Sequence, residues 1–373
     1  MHAKRSEKKE HVLLCGYYGY HNAGDDATLD AVLNSIRCAA PDMDVTVLSG
    51  DPEDTAKRYG CRSVNRFRMP TVIQAIRSCD ALVFGGGSLL QDVTSTRSLL
   101  YYLLLLRMAR FFGKKTMLFG NGIGPVHLAA NRRKVAAAVR KIDCVTLRDG
   151  DSLLTLRKMG VERPDLLVTA DPVFAYRVTD TPASLLQKAG FPRNEPFIAV
   201  SIRSWTNMDA FCAQAAAACD VVSQRMKRKI VLITMHPEFD IETSEKMARL
   251  MQNRPYILPA GSAAELMAVL GQADLVLSMR LHALIFAARM GVPAVGIVYD
   301  PKTESFLKCM GMPSCGDVDS FTAQRAVATM QKVLEDREIY VERVQARSAA
   351  LEQLAKENTR AFLRMMSSLE EKK

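Results

Sequence analysis

The sequence contains no C-x-x-C pair, and its nine cysteines are odd in number and irregularly spaced. That usage argues for a reducing compartment, without a disulfide framework or a Cys metal site. Cys15, Cys79 and Cys144 lie in or beside apolar strand-like runs, where thiols act as small hydrophobes. No cluster of His and carboxylates shows metal-ligand spacing, so no metal is expected. G-x-G-x-x-G, Walker and G-x-S-x-G sequences are also missing, which leaves dinucleotide binding, P-loop chemistry and a serine nucleophile elbow unsupported. The start, MHAKRSEKKEH, is charged and runs straight into an apolar strand with no hydrophobic signal core. A cytoplasmic protein is the expectation. The apolar run from Leu99 to Leu106 falls far short of the ~20 residues that span a bilayer. With Met108, Phe111 and Phe112 beyond it and Arg97, Arg107, Arg110, Lys114 and Lys115 around it, it reads as a buried helix covering a sheet. A basic helix resting on the inner face of the cell membrane is the alternative.

What is present fits a soluble globular chain: 373 residues, 48% hydrophobic and 24% charged, long enough for two domains. The net charge of +10 favours an acidic partner, whether nucleic acid, anionic membrane or phosphorylated substrate. Basic residues read as scattered, with no aromatic-interleaved stripe or zinc-finger spacing, and nucleic acid is therefore disfavoured.

Apolar runs at 11–16, 45–48, 61–64, 81–84, 116–119, 144–147 and 166–169 alternate with helical stretches. This pattern predicts a mostly parallel, doubly wound α/β domain over 11–178. Pro182, Gly190, Pro192 and Pro196 mark 179–196 as a linker. A second alternating set fills 197–320, and 321–373 reads as a helical segment with a bend near Asp336. Two Rossmann-like domains facing each other across a cleft is the simplest assembly, with the last helix returning to brace the first.

The unusual residues follow strands. In the first half they are the loop GYYGYHNAGDD with a helix from about Asp25, Gly85-Gly86-Gly87-Ser88, Gly120 to Pro125, Arg148-Asp149 and Asp171-Pro172. In the second half they are Arg203, His236, Arg280 with His282, and Tyr299-Asp300. Ligands in open α/β sheets bind beyond the carboxyl ends of strands, and helix N-termini favour anions. Arg280 and His282, at the turn between an apolar strand and a helix, suit an anionic ligand that also needs a proton. The bland alternatives are that Arg280 pairs with a structural carboxylate and that His282 caps its helix. Arg148-Asp149 likewise reads as a structural pair or cap, Asp171-Pro172 as a turn, and His236 as a loop residue. Arg148, Arg203 and Arg280 together would suit a small, highly charged ligand such as a phosphorylated carboxylate.

Several motifs, in order from 16 to 302, together resemble the polysaccharide pyruvyl transferase family, specifically its bacterial cell-wall members. They are GYYGYHNAGDD (16–26), FGGGSLLQD (84–92), GNGIGP (120–125), TLRDGDS (146–152), TADPVF (169–174), SIRSW (201–205), SMRLHALIFAARMGVPAVGI (278–297) and YDPK (299–302). One departure is Asp26, where the family pattern has Glu, so the carboxylate is kept but shortened. The resemblance implies a GT-B-like fold with phosphoenolpyruvate as co-substrate and no cofactor or metal. It also implies a 4,6-ketal on a sugar, typically N-acetylmannosamine of a lipid-linked wall-polymer precursor, and so raises interest in peripheral membrane contact. On that picture Arg148, Arg203, Arg280 and His282 bind the donor. His282 is the general acid, while Asp25 and Asp171 deprotonate or orient acceptor hydroxyls. Asp25, Asp26, Gly85, Gly86, Gly87 and Asn121 meet the acceptor. The competing enzyme reading is a glycosyltransferase using a nucleotide-diphosphate sugar; a binding or scaffold protein is a third. Oligomeric state is not readable.

Overall fold

The computed structural model describes residues 9–177 and 183–370, and the chain forms two compact units. The first unit comprises residues up to Tyr20, Thr28–Arg177 and Leu351–Lys373; the second comprises His21–Ala27 and Val178–Ala350.

Within the first unit, strands and helices alternate: β1 (His11–Cys15), α1 (Ala23–Ala39, whose first residues belong to the second unit), β2 (Asp44–Ser49), α2 (Pro52–Tyr59), β3 (Arg62–Asn65), α3 (Met69–Ser78), β4 (Ala81–Gly85), α4 (Thr96–Phe111), β5 (Lys115–Asn121), α5 (Ala129–Val139), β6 (Cys144–Leu147), α6 (Gly150–Lys158) and β7 (Leu167–Val168). The sheet is seven-stranded and parallel, in the order β3-β2-β1-β4-β5-β6-β7. Its central strands are continuous apolar runs because both faces are covered. Leu13, Leu82, Phe84 and Leu118 point to one side, where α3, α4 and α5 pack. Val12, Leu14, Val83 and Phe119 point to the other, against α1 and Phe362 and Met365 near the C-terminus. Each such fully buried side chain contributes about 1.5–3 kcal/mol.

The second unit repeats the pattern with α7 (Ser184–Lys188), β8 (Phe197–Ser201), α8 (Met208–Met226), β9 (Lys229–Leu232), α9 (Pro237–Leu250), β10 (Tyr256–Ile257), α10 (Ala263–Leu270), β11 (Leu275–Ser278), α11 (Leu281–Arg289), β12 (Ala294–Val298), α12 (Pro301–Met310), β13 (Ser314–Asp317) and α13 (Ala323–Glu335). Its six strands are parallel in the order β10-β9-β8-β11-β12-β13. A last helix, α14 (Arg337–Glu370), begins in this unit and ends in the first.

The stretch 179–196 is more than the linker its prolines suggest. Positions 179–182 lie outside the described residues, but the rest packs into the second unit. Leu185 is fully buried, Ser184 Oγ donates to Glu265 at 3.3 Å, and Phe191 meets Phe197 and Tyr256 edge-on. The helical segment 321–373 is likewise divided. Its break falls at Asp336, α13 packs on the second sheet's cluster, and Asn358 in α14 exchanges hydrogen bonds with Thr169 and Ala170 of the first unit.

Candidate active site

The second sheet starts at β8, runs outward through β9 and β10, then crosses to β11 on the opposite side of β8. Loops leaving β8 and β11 therefore diverge, which opens a crevice at their carboxyl ends. Arg203 follows β8, His236 follows β9, and Arg280 and His282 follow β11. Ser278 Oγ ties the turn, donating to Ser201 O at 3.2 Å and accepting from Arg280 N at 2.9 Å. Arg280 is the N-cap residue of α11 in extended conformation and makes no side-chain cap. The first N–H groups of α11 thus add the positive end of a helix dipole to the crevice.

Arg280 does pair with a carboxylate, Asp240 of α9. Asp240 is fully buried, and its other oxygen accepts from Met235 N at 3.1 Å and His236 N at 2.9 Å. The carboxylate is held by backbone, and it in turn holds the guanidinium. Arg280 Nε, although buried, makes no hydrogen bond among the described residues; the same is true of Arg203 Nε, Thr234 Oγ1, Ser201 Oγ and His236 Nδ1. Buried polar atoms ordinarily find partners, so five gathered at the ends of three neighbouring strands mark a site built for a polar ligand. The Arg203 guanidinium lies over the Tyr299 ring at 5.1 Å. Trp205 meets that ring edge-on at 5.5 Å and donates its Nε1–H to Asp319 at 3.0 Å. His236 packs edge-on against Phe239. Burial first, and then the Arg280 charge, push its pKa below the ordinary imidazole value.

His282 stands on the first turn of α11, whose N-cap position is Arg280, and lies 6.5 Å from the Phe286 ring. It is packed against the start of α1. A Cβ on Gly24 would lie 2.7 Å from His282 Cβ and closer still to the ring, so only glycine fits. Asn22 Oδ1 accepts from Gly24 N at 3.0 Å and caps α1, and Ala23 N donates to Met235 O at 2.8 Å. Asp25 and Asp26 occupy the first turn, Asp25 half-buried and Asp26 buried. The second unit therefore gathers Arg203, Arg280, His282, His236 and the α1 turn bearing Asp25.

The other expected residues lie in the first unit, whose own switch point falls between β1 and β4. Tyr18 Oη donates to Gly85 O at 2.6 Å. Gly86 and Gly87 both have φ of +67°, a left-handed pair that glycine accommodates without strain. Asn121 Nδ2 donates to Gly86 O at 2.5 Å and weakly to Gly87 O at 3.4 Å. With its side chain buried, Asn121 shapes the glycine loop instead of presenting an amide outward. Arg148 is not a free cation. It pairs with Asp171 at 3.2 Å and Asp149 at 3.3 Å and donates to Ser88 Oγ at 3.2 Å. Asp149 also caps α6, and Asp171 caps the 3₁₀ turn Pro172–Ala175. Among the described residues, no group of three or more His, Cys, Asp or Glu is placed to hold a metal.

Sequence reading missed Asp240 altogether and, although it singled out His236, gave that residue no role in the site. The available signal was H-P-E-F-D itself: a proline at the first helical position puts Asp240 one turn beyond His236, aimed back at the backbone amides before the helix.

The polysaccharide pyruvyl transferase family model matches residues 22–301. The amylovoran biosynthesis protein AmsJ of Erwinia amylovora is 21% identical, over 88% of this chain and 92% of that protein. Among solved structures, a putative UDP-N-acetylglucosamine 2-epimerase from Listeria monocytogenes superposes with a TM-score of 0.69 at 13% identity, covering 98% of each chain. Anabaena HepE in complex with UDP and glucose gives 0.65 at 13% identity, covering 96% of this chain and all of that one. These likenesses show the GT-B-like fold and nothing of the ligand. The chain belongs to the polysaccharide pyruvyl transferase family and is a transferase enzyme of polysaccharide biosynthesis.

Proposed function

We propose that the enzyme transfers the pyruvyl group of phosphoenolpyruvate to two hydroxyls of one sugar, forming a 4,6-ketal and releasing phosphate. The acceptor we favour is N-acetylmannosamine in a lipid-linked cell-wall precursor. The observation that carries the donor assignment is the pair Arg203 and Arg280, each with an unengaged buried Nε, beside the N-terminus of α11. A donor with a carboxylate and a phosphate needs two cationic forks, and planar guanidinium groups bind both anions in bidentate fashion.

In the reaction, C3 of the enol takes a proton and becomes a methyl group, leaving oxocarbenium character at C2. One sugar oxygen bonds to C2 as the C2–O bond to phosphate breaks, and the second sugar oxygen then closes the ring. The two hydroxyl protons balance the one gained at C3 and the one carried off by phosphate, so no external acid is consumed. His282 supplies the C3 proton. Asp25, on the turn packed against it, receives or orients a hydroxyl proton. In the first unit the Arg148–Asp171 pair and the Gly85–Gly87 loop serve the acceptor, with Arg148, engaged by Asp149, Asp171 and Ser88, fixing Asp171 instead of binding the donor. Phosphoenolpyruvate is the co-substrate and the scheme uses no metal or cofactor.

The donor assignment is tested by titrating phosphoenolpyruvate into Arg280→Lys. Charge is kept but the fork and its Asp240 clamp are lost, so affinity should fall about tenfold or more. Unchanged affinity would remove Arg280 from the donor site.

A further inference from the structure

We propose that the α4–α5 face of the first unit docks on an anionic phospholipid surface. The basic residues, read above as scattered, are in fact concentrated. Between Val93 and Ile142 stand ten Lys and Arg and no Asp or Glu, equal to the net charge of +10 of the whole chain. The remainder of the sequence is electrically balanced.

Both helices of that stretch cover the same side of the first sheet. Leu99, Tyr102 and Leu105 of α4 and Val135 and Val139 of α5 join one buried cluster. Their outer sides remain open: Leu100, Leu104 and Phe111 are 40%, 44% and 83% exposed. At about 100° per residue, Leu100, Leu104, Arg107 and Phe111 fall within an arc of roughly 60°, a single stripe along α4. Between the helices runs a groove of about 630 Å³ with Leu103, Leu106 and Ala138 inside and Arg107, Arg110, Lys134 and Lys141 along it. Neither helix carries a carboxylate. No helix among the described residues is long and apolar enough to cross a membrane; this face has the composition of one that lies on it, with aliphatic groups for the acyl boundary and cations for the headgroups.

Other occupants fit less well. Nucleic acid would match the charge, but single strands are held by stacking on aromatic platforms, and the apolar groups here are mainly leucines. A second copy would oppose like charges across a two-fold interface. The proposal rests on charge and the apolar stripe, and it is independent of the pyruvyl-transfer reading.

The test is flotation of the full chain with vesicles of phosphatidylcholine, alone or with about a third phosphatidylglycerol. Partition onto the anionic vesicles only, weakening as salt rises, is expected. Arg107→Gln, Arg110→Gln, Lys134→Gln and Lys141→Gln together should weaken it by about fivefold per charge removed. Leu104→Gln with Phe111→Ser should weaken it as well, with the thermal unfolding midpoint of the chain left essentially unchanged. No partition, or partition indifferent to all six substitutions, would overturn the proposal. So would loss in the charge variant alone with competition by DNA, which points to nucleic acid. A dimer in light scattering that the apolar pair of substitutions breaks, without vesicle binding, would assign the face to a second copy.

Discussion

Replacing Gly24 by alanine places a methyl group on the flank of the His282 side chain. The new Cβ would stand 2.7 Å from His282 Cβ, against 3.4 Å or more for an ordinary contact, and the ring atoms would be nearer still. Rotation about χ1 can swing the ring aside but cannot move Cβ, the root of the side chain, so the contact is not cleared by a rotamer change alone. The imidazole or the α1 turn must move by roughly 1 Å, and a displacement of that size costs on the order of 100-fold in rate. That loss equals about 2.7 kcal/mol in the barrier. Stability moves less, because overpacking of about 1–3 kcal/mol is offset by up to about 1 kcal/mol of helix propensity gained from Gly to Ala. Phosphoenolpyruvate affinity, which we assign to Arg203 and Arg280, should stay within about threefold. Single-turnover phosphate release, donor titration and thermal denaturation separate the three quantities. Wild-type turnover in Gly24→Ala would refute the role given to His282, and lost donor binding with an intact fold would make His282 a binding group.

Two further substitutions and one pH series follow from the same unit. Asp240→Asn keeps the shape but turns one oxygen into a donor facing Arg280 or the amides of Met235 and His236. Denaturant titration should show a loss of about 3–5 kcal/mol; a loss under about 1 kcal/mol would mean the pair is not buried as described. The pKa of His236 is lowered by burial and by Arg280. As pH falls below about 6.5 the unfolded chain takes up this proton before the folded one, so stability drops until the lower folded pKa is passed, and it is level above about 6.5. Urea midpoints measured from pH 7.5 to 5 in wild type and His236→Gln should diverge only in the acidic range, and parallel curves would contradict the assignment.

Much of the fold was legible because parallel strands buried on both faces are short apolar runs, and the residues that follow them are conspicuous against that background. The placement of Arg203, Arg280 and His282 after β8 and β11 followed from this alone. What the one-dimensional pattern could not carry were pairings made by tertiary packing. Asp240 is 40 residues from Arg280; the local H-P-E-F-D pattern points it at the amides before its helix, but not at its guanidinium partner. Residues 21–27 read as the end of a first-domain loop and the start of its helix from about Asp25, yet they pack with the second unit through Ala23 and Gly24. Composition misled at 183–196, where proline and glycine mask the buried Leu185 and the edge-on ring contacts of Phe191. Arg148 was judged by its charge, but the charge is shared with Asp149 and Asp171.

The most direct test of the central claim is phosphorus and proton NMR of the purified enzyme with phosphoenolpyruvate and an N-acetylmannosamine-containing disaccharide bearing a lipid or aryl tail. The account predicts inorganic phosphate released only when acceptor is present, together with a new ketal methyl signal. Turnover of a nucleotide-diphosphate sugar, with phosphoenolpyruvate left intact across a panel of such acceptors, would contradict it.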